Sequence, residues 1–183
     1  MGLTTYYIFA SLDGFVAAED NGLDWLYELD PGDRDFSTYM EGVGAFAMGS
    51  STYESVLRDS GLLEHPERWI EGHRGRPAWV FSGRELPAVP GAEITFVYGD
   101  VRPVHAAMVA AAGDKGVFIA GGGGLAAEFF AAGLLDRIVV GVVPAILTAG
   151  KPLFPQPVTS AQLKLEHVEH VRQVAYLTYA CLR

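Results

Sequence analysis

Three stretches of this chain place glycine, in two of them beside hydroxyl groups, where a short apolar run gives way to something else. Gly121-Gly122-Gly123-Gly124-Leu125 follows the apolar run Gly116–Ala120 and opens an Ala/Leu/Phe-rich segment. Glycines at a strand-to-helix junction let backbone N–H groups approach an anion that also feels the helix dipole. The same glycines would equally serve a tight turn where helix and strand pack closely. Gly49-Ser50-Ser51-Thr52 repeats the arrangement after Ala45–Met48, and Ser51 with Glu54 fits a capping box. Ser82-Gly83-Arg84 closes the run Ala78–Phe81 and offers a hydroxyl, a glycine and a guanidinium suited to bidentate phosphate contact. A solvated loop arginine is the plainer reading of Arg84. Taken together, the three junctions predict a phosphate-bearing ligand, best a dinucleotide.

Acidic side chains supply the other candidate chemistry. Asp30-Pro31 is a helix start, an N-cap followed by proline at the first helical position. Asp33, Phe36, Tyr39 and Met40 then share one helical face by their spacing, and Asp33 is its one charged member. Stabilising the helix dipole from the first turn is the structural alternative for Asp33.

Composition limits the classes. The 183 residues include 13 basic and 22 acidic side chains, a net charge of −9, which argues against nucleic acid as a partner. The lone cysteine, Cys181, forbids an internal disulfide or a multi-cysteine zinc site. The five histidines form no His-Glu-x-x-His pattern, so no metal site is expected. Without a signal-like N-terminus or a long apolar span, the expectation is a cytoplasmic protein that keeps off membranes.

The elements that must position these residues alternate. Strands are predicted at Tyr6–Ala10, Ala45–Met48, Ala78–Phe81, Ile94–Val97, Gly116–Ala120 and Ile138–Val143. Helices are expected from Asp30 to about Gly42 or Gly44, after Ser51, over Val104–Ala112 and over 125–133, with a short helical piece inside Arg58–Arg76. Ser11–Asp24 reads as a long, functional connection and Thr148–Pro152 as a turn. Leu163–Val171 and Val174–Leu182, joined by Arg172-Gln173, read as an antiparallel hairpin. The prediction is one α/β domain over 1–183, mostly parallel, with an antiparallel edge.

In this order the motifs resemble the dihydrofolate reductase-like superfamily, in particular the branch of the reductase domain of bacterial riboflavin biosynthesis. Ala10-Ser11-Leu12-Asp13-Gly14 with Val16-Ala17 is similar to that branch's first-strand motif, and Asn21–Trp25 to its mobile substrate loop ending in tryptophan. Met48-Gly49-Ser50-Ser51-Thr52-Tyr53-Glu54-Ser55 resembles the Met-Gly-Arg-x-Thr-Trp/Tyr-Glu-Ser signature, with Ser50 in place of arginine. Phe81-Ser82-Gly83 and Gly121-Gly122-Gly123-x-Leu complete the match.

The resemblance implies a three-layer α/β/α fold with a sheet of about eight strands, and NADPH as hydride donor to a pterin- or pyrimidine-like substrate. The named activities are those of dihydrofolate reductase and 5-amino-6-(5-phosphoribosylamino)uracil reductase. It implies that Gly49–Thr52 and Gly121–Leu125 hold the pyrophosphate from two helix N-termini, with a cis peptide at Gly121–Gly122. Ser82, Gly83 and Arg84 would take the adenosine 2′-phosphate, and Ala10, Val16, Ala17 and Ala120 would flank the cofactor. The substitution at Ser50 removes one 2′-phosphate contact. The catalytic candidates are Asp33, Asp13 and Trp25, with Asp30 as the alternative acid. The folate-binding arginine has no clear counterpart among Arg58, Arg68, Arg74 and Arg76. A homodimer is the assembly the branch implies.

Other classes fit less well. Gly121-x-Gly123-x-x-Ala126 matches the Rossmann fingerprint, but it lies two-thirds along the chain and the next strand ends at Pro144 instead of an acid. Gly49-Ser50-Ser51 is not a nucleophile elbow. A catalytically idle, nucleotide-binding or dimerising member of the same fold remains the non-enzyme alternative.

Overall fold

The computed structural model describes residues 2–28 and 36–183. In chain order its strands are β1 (Thr4–Ser11), β2 (Phe15–Ala17), β3 (Val43–Gly49), β4 (Ala78–Phe81), β5 (Ile94–Val97), β6 (Gly116–Gly121), β7 (Arg137–Val143), β8 (Lys151–Pro152), β9 (Leu163–Val171) and β10 (Val174–Cys181). Its helices are α1 (Asp24–Tyr27), α2 (Phe36–Glu41), α3 (Ser50–Asp59), α4 (Glu67–His73), α5 (Val101–Ala112) and α6 (Gly123–Ala131).

Eight strands form one sheet in the order β5-β4-β3-β6-β1-β7-β10-β9. The first six are mutually parallel. The hairpin of β9 and β10 then adds antiparallel to β7. Strands covered on both faces can be apolar throughout, which is why runs such as Ala45–Met48 and Val117–Ile119 mark the middle of the sheet.

The pleat divides the core in two. Tyr6, Ala47, Ile119 and Val140 point to one face, where Met108 of α5 and Leu125 and Phe129 of α6 cover them. Tyr7, Phe46, Phe118 and Val139 point to the other, under Tyr53 and Leu57 of α3 and Trp69 of α4. The result is the expected three-layer α/β/α arrangement.

Several boundaries differ from the sequence reading, among them the short helix α1 and the start of α6 at Gly123 instead of 125. Phe15–Ala17 and Lys151–Pro152, read as loop and turn, pair as a two-stranded ribbon. Strands of three and two residues are too short to show an alternating pattern. The helix expected from Val104 starts at Val101, because the side chain of Asp100 caps it. The predicted start at Asp30-Pro31 lies outside the described residues.

Candidate active-site cleft

The cleft forms where two neighbouring parallel strands send their chains to opposite faces. β3 and β6 lie side by side, with Met48 opposite Gly121. α3 leaves β3 on one face of the sheet, and α6 leaves β6 on the other. In doubly wound sheets such a divergence at the carboxyl edge opens a crevice for ligand.

The two junctions touch. A Cβ built on Gly49 would stand 3.7 Å from the Gly122 nitrogen, and one built on Gly121 would stand 3.3 Å from Thr52 Oγ1. Gly49 is the N-cap of α3 and Gly122 that of α6, and neither helix receives a side-chain cap. The expected Ser51–Glu54 capping box does not form. Ser51 sits inside the first turn instead of at its cap, and Glu54 reaches outward to pair with Arg84 at 2.7 Å. Backbone N–H groups at both helix starts therefore point to a shared space without a side-chain acceptor of their own.

Each glycine of the run has its own reason to be there. Gly121 has φ of +130°, which other residues rarely adopt, and it precedes the expected cis peptide to Gly122. Gly123 admits no side chain, because a Cβ would stand 2.5 Å from the Leu153 carbonyl oxygen. A Cβ on Gly122 would meet only Thr52 Oγ1 at 3.9 Å, and one on Gly124 would meet nothing within 4 Å. Folding requires neither to be bare; an approaching ligand would. This cradle fits the pyrophosphate of a dinucleotide.

A cleft of about 660 Å³ opens at this point, lined by Val16, Ala17, Gly49–Thr52 and Ala120–Leu125. Ile8, Asn21, Leu23, Tyr27, Asp59, Glu128 and Lys151 also face it. Most of the anticipated cofactor residues thus meet in one place. Ala10 does not: it is buried in the sheet core, opposite Val142 of β7. Ser82, Gly83 and Arg84 line a separate cavity of about 640 Å³ with Phe96 and the exposed Tyr98. It adjoins the cleft at Phe81, which lines the main cleft immediately before Ser82. The Ser82 hydroxyl donates to the Arg84 carbonyl oxygen and accepts from its N–H, which closes the turn.

The catalytic candidates fare differently. Asp33 and Asp30 lie outside the described residues. Asp13 is not among the cleft-lining residues: its carboxylate accepts from Ser11 Oγ at 2.7 Å and from the Leu147 and Thr148 N–H groups at 3.1 and 2.7 Å. Ser11 above all, then the two amides, hold Asp13 below the usual carboxylate range. It ties the β1–β2 turn to the loop after β7. Trp25 is half-buried on α1 against the second core cluster, and its indole N–H is buried without a hydrogen-bond partner among the described residues.

None of the four arginines considered for folate lines the cleft. Arg76 is consumed by the fold: it donates to the carbonyl oxygens of Val43, His73 and Met40 at 2.8, 2.8 and 2.6 Å. Sequence reasoning missed Lys151, Asp59 and Glu128 in the lining. Lys151 sits on a two-residue strand, and the acids sit on helix faces that look like ordinary solvated surface.

Comparison with known proteins identifies the fold and the family. A Shewanella structure described as a putative riboflavin biosynthesis protein superposes with a TM-score of 0.79 at 28% identity over 99% of both chains. Dihydrofolate reductase from Enterococcus faecalis, complexed with NADP(H), superposes at 0.60 with 14% identity, over 100% of this chain and 98% of that one. The fold is that of the dihydrofolate reductase-like reductases. More narrowly, residues 4–177 match the RibD C-terminal domain, and the chain belongs to that family. The uncharacterized YwjB of Bacillus subtilis (strain 168) is 29% identical over 177 residues, 96% of each chain. Among the described residues no helix is long and apolar enough to cross a membrane.

Proposed function

We propose that this chain is an NADPH-dependent reductase that delivers a hydride to a small heterocycle of the pterin or pyrimidine class. One observation carries the reading: two helix N-termini with glycine caps meet across one cleft, bare of side-chain acceptors. That arrangement suits a pyrophosphate, and the solved E. faecalis relative of the same fold was complexed with NADP(H).

The bound cofactor would supply the hydride. The chain's part is to bind, orient and exclude water. The α3 and α6 N–H groups would neutralise the pyrophosphate. Val16, Ala17 and Leu23 would form an apolar wall against bulk solvent. Arg84, through its guanidinium, and Ser82 would take the adenosine 2′-phosphate, with Arg84 leaving Glu54 to do so. Asp33 would polarise the substrate or support its protonation through water. Asp13 is unsuited to that role: three donors keep it ionised and turned to the loop after β7.

Titration of NADPH fluorescence tests the cradle. Gly122→Val should abolish binding, since a branched side chain would project where the phosphate must approach; retained affinity would sink the clamp. Asp33→Asn should lower turnover on a panel of pterins and pyrimidine ribityl phosphates by roughly a hundredfold or more, with little change in NADPH affinity. Equal turnover in the two proteins removes Asp33 from the mechanism. Tight NADPH binding with no oxidation across the panel would favour the idle, nucleotide-binding reading.

A further inference from the structure

Among the described residues lining the cleft, the charged side chains are Asp59, Glu128 and Lys151. Two carboxylates would repel an anionic ligand, and Lys151 is the one cation among the described lining residues that offsets them. It also sits on an unusually constrained mount. β8 pairs with β2, Lys151 opposite Ala17. Gly150, immediately before it, has φ of +149°, and a Cβ there would collide with the Ala17 carbonyl. On the far side, a Cβ on Gly123 would stand 2.7 Å from the Pro152 oxygen and 2.5 Å from the Leu153 oxygen. The backbone of 150–153 is therefore wedged between β2 and the first turn of α6. Lys151 makes no ion pair with Asp59, Glu128 or any other described residue, so its ammonium is not already spent.

We propose that Lys151 is a third member of the pyrophosphate clamp, its ammonium contacting the cofactor's phosphates from the α6 side. This rests on the dinucleotide reading given above. A lysine acts here as a movable point charge, complementing N–H donors that are fixed in direction. A phosphorylated substrate could offer the same chemistry. The wedge against Gly123 places the lysine beside the α6 N-terminus, which favours the cofactor's phosphates.

The test measures affinity, apart from turnover. Wild type, Lys151→Met and Lys151→Arg would be titrated with NADPH, inorganic pyrophosphate and ribose 5-phosphate at low and high ionic strength. Lys151→Met should weaken NADPH and pyrophosphate about tenfold or more and flatten their salt dependence, since a charge-assisted contact is lost. Lys151→Arg should stay within about threefold of wild type, because the charge is kept. Unchanged thermal unfolding of both variants would exclude a folding defect at this exposed position. A Lys151→Met protein that binds NADPH and pyrophosphate as wild type does overturns the proposal. So does a loss confined to ribose 5-phosphate, which would move the lysine to the substrate. A wild-type chain that ignores NADPH overturns both the inference and the dinucleotide reading, whereas a normal wild type beside an unaffected variant counts against Lys151 alone.

Discussion

Three helices of this sheet start after a parallel strand, yet they start in two different ways. α5 is self-sufficient: Asp100 accepts from the Arg102 N–H at 3.0 Å and also pairs with the Arg102 guanidinium at 3.2 Å. α3 and α6 begin on glycine, with no side chain closing the first turn. Glycine at an N-cap gives up only about a few tenths of a kcal/mol against a side-chain cap, so leaving these two helices open costs the fold little. α5 shows that the chain can build a capped end. Where it leaves the ends open, the N–H groups remain for a ligand.

The comparison can be broken most sharply by converting one end into the other. Gly124→Asp puts a carboxylate into the first turn of α6, into space where no neighbour lies within 4 Å. NADPH affinity should fall about a hundredfold, because like charges set face to face cost several kcal/mol. Thermal stability should hold or rise, by about 0.3–1 kcal/mol from the favourable helix dipole. A variant that is stabilised and still binds NADPH would show that the open end serves no anion. The reverse change, Asp100→Ala, should destabilise by about 1 kcal/mol and lower Tm by about 3 °C. NADPH titration should be unchanged, since α5 contributes nothing to the cleft.

Acid titration should give the smallest effect, and it should fall on the fold and spare the cleft. His105 of α5 lies 2.8 Å from Thr4 Oγ1, and His73 of α4 stacks on Phe46. Burial lowers both below the ordinary value of 6.5. The unfolded chain therefore takes up protons first as pH drops through 6.5, and stability should decline from there downward. Urea midpoints measured at pH 7.5, 6.5 and 5.5 would follow that decline, and His105→Gln should flatten part of it. A midpoint that rises on acidification would contradict the assignment.

Much of this architecture was legible because its signals are long. Ala78–Phe81 and Ile94–Val97 are strands with the limits their apolar runs predict, and the Leu163–Val171 hairpin is where its alternation placed it. The paired glycine junctions were legible for a related reason, since glycine after a buried strand leaves few conformational alternatives. What escaped is short or depends on contacts distant in sequence. Glu54 matches a capping box by spacing, but Arg84, thirty positions away, draws it outward. Asp13 looked catalytic within its motif, yet beside the local Ser11 two of its three partners come from residues 147 and 148, which no local pattern reveals. Lys151 belongs to a strand of two residues, and only its wedge between Ala17 and Gly123 sets it apart from a surface lysine.

Arg76 has a consequence for how this chain can be lengthened. Its guanidinium gathers carbonyls from the ends of α2 and α4 and from the start of β3, so the segment between α3 and β4 is pinned at its return point. Insertions between Ser60 and Glu67 would then lengthen a loop with fixed ends, and each doubling of its length costs only about 0.6 kcal/mol. That segment could be grafted or extended to carry a new contact while the two glycine junctions stay in register. Lysine could not take over at position 76, because a single ammonium cannot aim three donors along the guanidinium's plane.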